Sequence, residues 1–275
     1  METRSPAASA GVFRDRFRYV RIGYGARTLV VLPGLSLTNR QPGRLAVLGY
    51  AQGFRTLAKG HTLYVLQRPC VLRTAASTRD IAAEYAQLIR QEFGGVRLVG
   101  LSTGGMIAQH LALDHPALVE RLVLVVAGAR LSPRGRAICL RWRELAASGR
   151  WRRLHGELAA AAVDGAFAQS MAKVLLSLFG EPPTPVEAVD FVTTVDAVLR
   201  QDTRARLAGL AMPVLIVGGE QDAFFPASAL RETAAPIPGV RLSVYEGVGH
   251  GLPKQRAARM TAEIRAFLSE AEAED

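Results

Sequence analysis

Residues 96–105 read Val96-Arg97-Leu98-Val99-Gly100-Leu101-Ser102-Thr103-Gly104-Gly105, an apolar run that ends on one serine set among three glycines. Such a run, closed by glycine, suits a β-strand covered on both faces. The following residues, 104–113, carry helical spacing, so Gly100-x-Ser102-x-Gly104 falls between a strand and a helix. In that corner the serine sits in a strained turn, and side chains two positions to either side would meet the crossing backbone. Gly100 and Gly104 supply the clearance, and the Ser102 hydroxyl is held out above the sheet.

Working outward, further strand-like runs are read at 19–22, 28–32 (TLVVL), 63–66 (LYVL), 122–126 (LVLVV), 214–217 (VLIV) and 240–245 (VRLSVY), which with 96–99 makes seven. Helical patterns fall between them. Residues 78–93 place Ile81, Tyr85, Leu88 and Ile89 on one face, with Ser77 or Thr78 as N-cap and Gly94-Gly95 at the end. Residues 257–268 behave similarly. Strands alternating with helices predict an α/β fold with a mostly parallel, doubly wound sheet. The alternation lapses once, where 142–162, 166–179 and 186–199 all read as helices and Gly180-Glu181-Pro182-Pro183-Thr184-Pro185 interrupts them. This predicts a helical cap, 131–207, inserted into a core made of 1–130 and 208–275.

Composition excludes several classes. The 275 residues are 49% apolar, enough for a substantial core. Cys70 and Cys139 form no CxxC pair and no Cys/His cluster, so neither a disulfide framework nor a metal site is expected. The start, METRSPAASAGVFRDRF, lacks the apolar stretch of a secretory signal, and no window approaches a membrane span. The expectation is a cytoplasmic protein, able to self-associate. A net charge of +10 invites a nucleic-acid reading, but the charge is almost all arginine, is scattered, and accompanies no nucleic-acid module. Arg130, Arg134, Arg136, Arg141, Arg143, Arg150, Arg152 and Arg153 do concentrate in one segment, with Glu144 its only acid. They read as a solvated helix face, or as an attraction for anionic substrates. The end, SEAEAED, reads as a solvated tail.

In an open α/β sheet, ligands gather at the carboxyl ends of the strands. An exposed serine is a weak nucleophile until a placed base takes its proton. His250, in Glu246-Gly247-Val248-Gly249-His250-Gly251 directly after the last strand, meets that need. His61, His110, His115 and His155 are placed elsewhere, and the five-residue separation of His110 and His115 does not suit paired metal ligands on one helix. A catalytic imidazole needs a carboxylate to fix its tautomer. Asp222, in Gly218-Gly219-Glu220-Gln221-Asp222-Ala223-Phe224-Phe225-Pro226, has the reach, with Glu220 as its rival.

VRLVGLSTGG, HPALVERLVLVVAG, GGEQDAFFP and GVGHGLP, in that order, resemble the α/β-hydrolase superfamily in its capped branch of esterases, enol-lactonases and haloperoxidase-like enzymes. The resemblance implies a Ser102, Asp222, His250 triad and an oxyanion hole formed by two backbone N–H groups. The first belongs to Thr103. The second belongs to Leu35 or Ser36, in Pro33-Gly34-Leu35-Ser36, where the family usually has His-Gly. It further implies a cofactor-free and metal-free serine hydrolase of a small-molecule ester or lactone, apolar or anionic. Perhydrolysis, carbon–carbon bond hydrolysis, a lyase reaction, acyl transfer and a non-catalytic receptor are the alternatives on the same fold. Ser36, Trp142, Phe167, Met171 and Phe225 are expected at the substrate pocket, with Leu175, Phe179, Phe191 and Val195 as further wall candidates.

Overall fold

The computed structural model describes residues 7–270. Most of the acidic tail, and the first six residues, lie outside the described residues. Eight strands form one sheet: β1 (Ala8–Phe13), β2 (Phe17–Ile22), β3 (Arg27–Leu32), β4 (His61–Leu66), β5 (Val96–Leu101), β6 (Val119–Val125), β7 (Val214–Gly219) and β8 (Arg241–Tyr245). Their order is β1-β2-β4-β3-β5-β6-β7-β8, with β3 to β8 parallel and β1 and β2 antiparallel at one edge. β1 is the strand that the seven sequence runs omit. Its residues, ASAGVF, are small and half-exposed, so no apolar run marks it.

Alternation along the central strands divides the core in two. Val30, Leu32, Leu98, Leu122, Leu124 and Ile216 face one side, where they meet α2 (Thr78–Glu92) and α3 (Thr103–Asp114). Leu29, Val31, Val99, Val123, Val125 and Val217 face the other, beneath α1 (Arg44–Phe54) and α10 (Ala257–Ser269). Each such side chain contributes roughly 1.5–3 kcal/mol through burial. Ser77 caps α2 in a reciprocal box with Asp80. Two shorter helices, α8 (Ala227–Ala234) and α9 (Leu252–Gln255), follow β7 and β8.

Between β6 and β7 stand four helices: α4 (Pro133–Ala147), α5 (Trp151–Ala161), α6 (Ala166–Phe179) and α7 (Pro185–Arg200). The single helix expected over 142–162 is therefore two. Gly149 adopts φ +66°, a left-handed conformation that ends α4 and turns the chain into α5. Helix α7 is tied to the sheet's loops, because Asp190 accepts the N–H groups of Val71 and Leu72, and Glu187 accepts that of Asn39. Among the described residues no helix is long and apolar enough to cross a membrane.

Candidate active site

Ser102 occupies the turn between β5 and α3 with φ 51° and ψ −119°. A non-glycine residue there carries strain of order 1–3 kcal/mol, sustained by its surroundings. Those surroundings are tight. A Cβ added at Gly104 would lie 2.1 Å from the Leu32 carbonyl oxygen, and one at Gly100 would lie 2.5 Å from the Gly105 Cα. The two glycines are required by close backbone approach, and β3, β5 and α3 are locked together at this corner.

His250 follows β8 and Asp222 follows β7, so all three side chains rise from carboxyl ends of strands. His250 Nε2 lies 3.0 Å from Ser102 Oγ, and Nδ1 lies 2.7 Å from Asp222 Oδ2. The other Asp222 oxygen, Oδ1, accepts the N–H groups of Phe224 and Phe225 at 2.7 and 3.2 Å. Asp222 is 2% exposed. With the carboxylate fixed this way, Nδ1 carries the imidazole proton and Nε2 is left to accept from Ser102. Glu220 instead accepts the N–H of Gly247 at the loop surface, away from the imidazole.

Thr103 is the first residue of α3, so its N–H has no carbonyl one turn back. The loop after β3 faces it, since a Cβ at Gly34 would lie 3.3 Å from Ser102 Cβ. Leu35 lines the same cavity as Ser102, whereas Ser36 donates its hydroxyl to the Thr38 carbonyl and lies outside that cavity. The cavity is about 150 Å³ and is walled by Met106, Leu131, Cys139, Trp142, Leu158, Val195, Phe224 and Phe225. Burial pushes the Cys139 thiol up to about 12, so it serves as a small apolar wall group.

The pocket expectations thus divide. Trp142, Phe225 and Val195 line the cavity. Phe191 is fully buried in the core. Phe167 and Met171 do not line it: they are 81% and 45% exposed on α6, and Leu175 is turned outward as well. Apolar spacing along α6 did not specify which of its faces meets the protein. The Phe179 side chain lies outside the described residues.

Two contributors went unassigned in the sequence. The Phe224 ring packs at a tilt, 4.7 Å from the His250 ring and 5.4 Å from that of Trp142, joining the histidine loop to α4. Asp164, between α5 and α6, accepts the N–H of Gly249 at 2.9 Å and of Gly251 at 3.2 Å, the residues on either side of His250. Its one sequence signal is that it is the lone acid between Glu157 and Glu181, followed by glycine.

The remaining histidines take other positions. His61 bridges the Leu57 carbonyl and Arg97. His110 is drawn down to about 4, chiefly by burial. Among the described residues no group of His, Cys, Asp and Glu is arranged to hold a metal ion. Half of the eight clustered arginines are in ion pairs: Arg130 with Glu232, Arg141 and Arg153 with Glu157, and Arg143 with Asp196. Arg134 instead lines an outer cavity of about 240 Å³ that reaches Gln221, Phe224 and His250.

An open, mostly parallel sheet with a serine at a strand-to-helix corner defines a class, and residues 47–256 match the model of the alpha/beta hydrolase fold family. The chain belongs to that family. It is 29% identical over 271 residues to the polyketide synthase ThaQ of Burkholderia thailandensis, covering 93% of this chain and 12% of that protein. It is 34% identical over 162 residues to the putative carbamate hydrolase RutD of Klebsiella pneumoniae, covering 56% of this chain and 58% of that one. The chain therefore spans less than two thirds of either relative. The enol-lactonase of Burkholderia xenovorans LB400 shares the fold with a TM-score of 0.78 at 18% identity, over 95% of this chain and all of that one.

Proposed function

We propose that this protein is a cofactor-independent serine hydrolase of carboxylic esters or lactones, with residues 131–207 as a cap over the site. The observation that carries the reading is the continuous line from Ser102 Oγ to His250 Nε2, 3.0 Å, and from His250 Nδ1 to Asp222 Oδ2, 2.7 Å. In the proposed reaction His250 takes the Ser102 proton as Oγ bonds to the substrate carbonyl carbon. The Thr103 and Leu35 N–H groups receive the oxyanion, a contribution of about 3–4 kcal/mol per donor in comparable sites. His250 then passes its proton to the departing alkoxide oxygen, leaving the acyl group on Ser102. Water, deprotonated by the same Nε2, attacks the acyl-enzyme and releases the acid. Asp222 stays ionised throughout and stabilises the imidazolium.

The names of two similar proteins, an enol-lactonase and a putative carbamate hydrolase, widen the substrates worth trying to lactones and carbamates. The test is labelling by a fluorophosphonate probe, followed by turnover of an ester, lactone, thioester and carbamate panel. Wild type should label and Ser102→Ala should not. Equal labelling of both would remove Ser102 from the mechanism, and binding without any turnover would favour a receptor.

A further inference from the structure

Two cavities meet at His250: the apolar one of about 150 Å³ that contains Ser102, and the outer one of about 240 Å³. Trp142, Ala161, Phe224 and His250 line both, so the two are neighbouring compartments. Ser102, Leu35 and Thr103 line the inner one and not the outer. In the proposed reaction the departing alkoxide takes its proton from His250 Nε2, so the leaving group must lie on the imidazole side of the reacting carbon. The acyl group, bonded to Ser102, occupies the inner cavity. The alcohol portion then extends past His250 into the outer one.

The outer cavity differs in character, since Arg134, Glu157, Asp164, Gln169 and Gln221 all line it. Its two acids are already engaged. Glu157 is paired with Arg141, Arg153 and Lys173, and Asp164 accepts the Gly249 and Gly251 N–H groups. Arg134 is exposed and has neither an ion pair nor a side-chain hydrogen bond among the described residues. It also stands in the first turn of α4, where the helix dipole favours an acid, and that turn contains none. An anion arriving beside Arg134 gains from the guanidinium and from the helix end together.

We propose that Arg134 is a specificity-determining residue at a leaving-group subsite, where its guanidinium receives an anionic group carried by the alcohol portion of the substrate. This rests on the hydrolase reading above. The substrate class is then an ester that joins an apolar acid to an anionic alcohol. At roughly 10–15 Å³ per water-sized position, the inner cavity has room for a short acyl chain.

The experiment compares 3-carboxyphenyl butyrate with 3-carbamoylphenyl butyrate, which share the acyl group and differ in the charge of the leaving group. Both pass through one butyryl-enzyme, so deacylation is common to them and kcat/KM reads acylation alone. At low salt, wild type should favour the carboxylate by on the order of fivefold, the upper range for a solvent-exposed charge pair. The preference should shrink at about 1 M salt, where the screening length is about 3 Å. Arg134→Gln should bring the ratio close to one and Arg134→Glu should invert it. Arg136→Gln, two residues along α4, should leave it as in wild type, because the Arg136 guanidinium donates to the Leu199 carbonyl instead of lining the cavity. The ratio is insensitive to a general loss of activity. No preference in wild type, a preference that survives Arg134→Gln, or an equal loss in Arg136→Gln would each overturn the assignment, the last by showing diffuse charge in place of a subsite. Failure of the hydrolase reading is distinguished by full activity in Ser102→Ala.

Discussion

Asp222→Asn isolates the electrostatic part of the proposed mechanism, and the hydrogen bonds around Asp222 say which way the new amide must point. Oδ1 accepts two backbone N–H groups, from Phe224 and Phe225, and an amide nitrogen in that position would face two donors. The asparagine oxygen therefore keeps that place, and its NH₂ replaces Oδ2, 2.7 Å from His250 Nδ1. Nδ1 must then accept, the imidazole proton moves to Nε2, and His250 can no longer take the proton of Ser102. The expected loss in kcat is on the order of 10⁴-fold, about 5.4 kcal/mol in activation free energy. The assay is ester turnover normalised to active-site concentration, with a thermal melt alongside. An unchanged melting temperature with turnover within tenfold of wild type would refute the tautomer argument and move the orienting role away from Asp222.

Three further outcomes follow from other contacts. Gly104→Ala places a methyl within 2.1 Å of the Leu32 carbonyl, and because backbone must move, stability should fall by roughly 1–3 kcal/mol or more and turnover with it; an unaltered melt would mean that the corner is looser than drawn. Asp164→Ala removes the acceptor of both N–H groups flanking His250, so kcat should drop roughly tenfold or more with faster amide exchange at Gly249 and Gly251, as loss of a charged hydrogen bond implies. The pKa of His110 is lowered from the ordinary 6.5 to about 4, so the unfolded chain binds the extra proton first; stability contributed by neutral His110 is present above 6.5 and lost as pH falls toward 4. Wild type should therefore lose more melting temperature across that window than His110→Gln, and parallel curves would contradict the burial of the ring.

The Ser102 corner was readable because its requirements are local: glycine, serine and glycine within five residues, after an apolar run. The strands of the sheet's centre were equally plain, since both faces are covered and Val, Leu and Ile fill them. What stayed hidden depends on partners distant in sequence. β1 is held by its pairing with β2, and nothing in ASAGVF marks that in advance. Apolar spacing along α6 carried Phe167 and Met171 into the expected pocket, but helical spacing names a face and not its partner. Asp164 carries no motif at all, and it gains meaning only from the Gly249 and Gly251 amides brought to it by folding.

The position of Asp164 has a bearing on chimeras. Helices α4–α7 interrupt the sheet in a single stretch, which invites their exchange with the equivalent stretch of a relative or their deletion to leave a minimal catalyst. Yet one carboxylate from that stretch receives the amides on both sides of His250. A transplanted stretch without an acceptor at that point would leave two amides unanswered beside the proposed base. The insertion is thus a working part of the histidine loop, and module boundaries drawn only at β6 and β7 would cut through it.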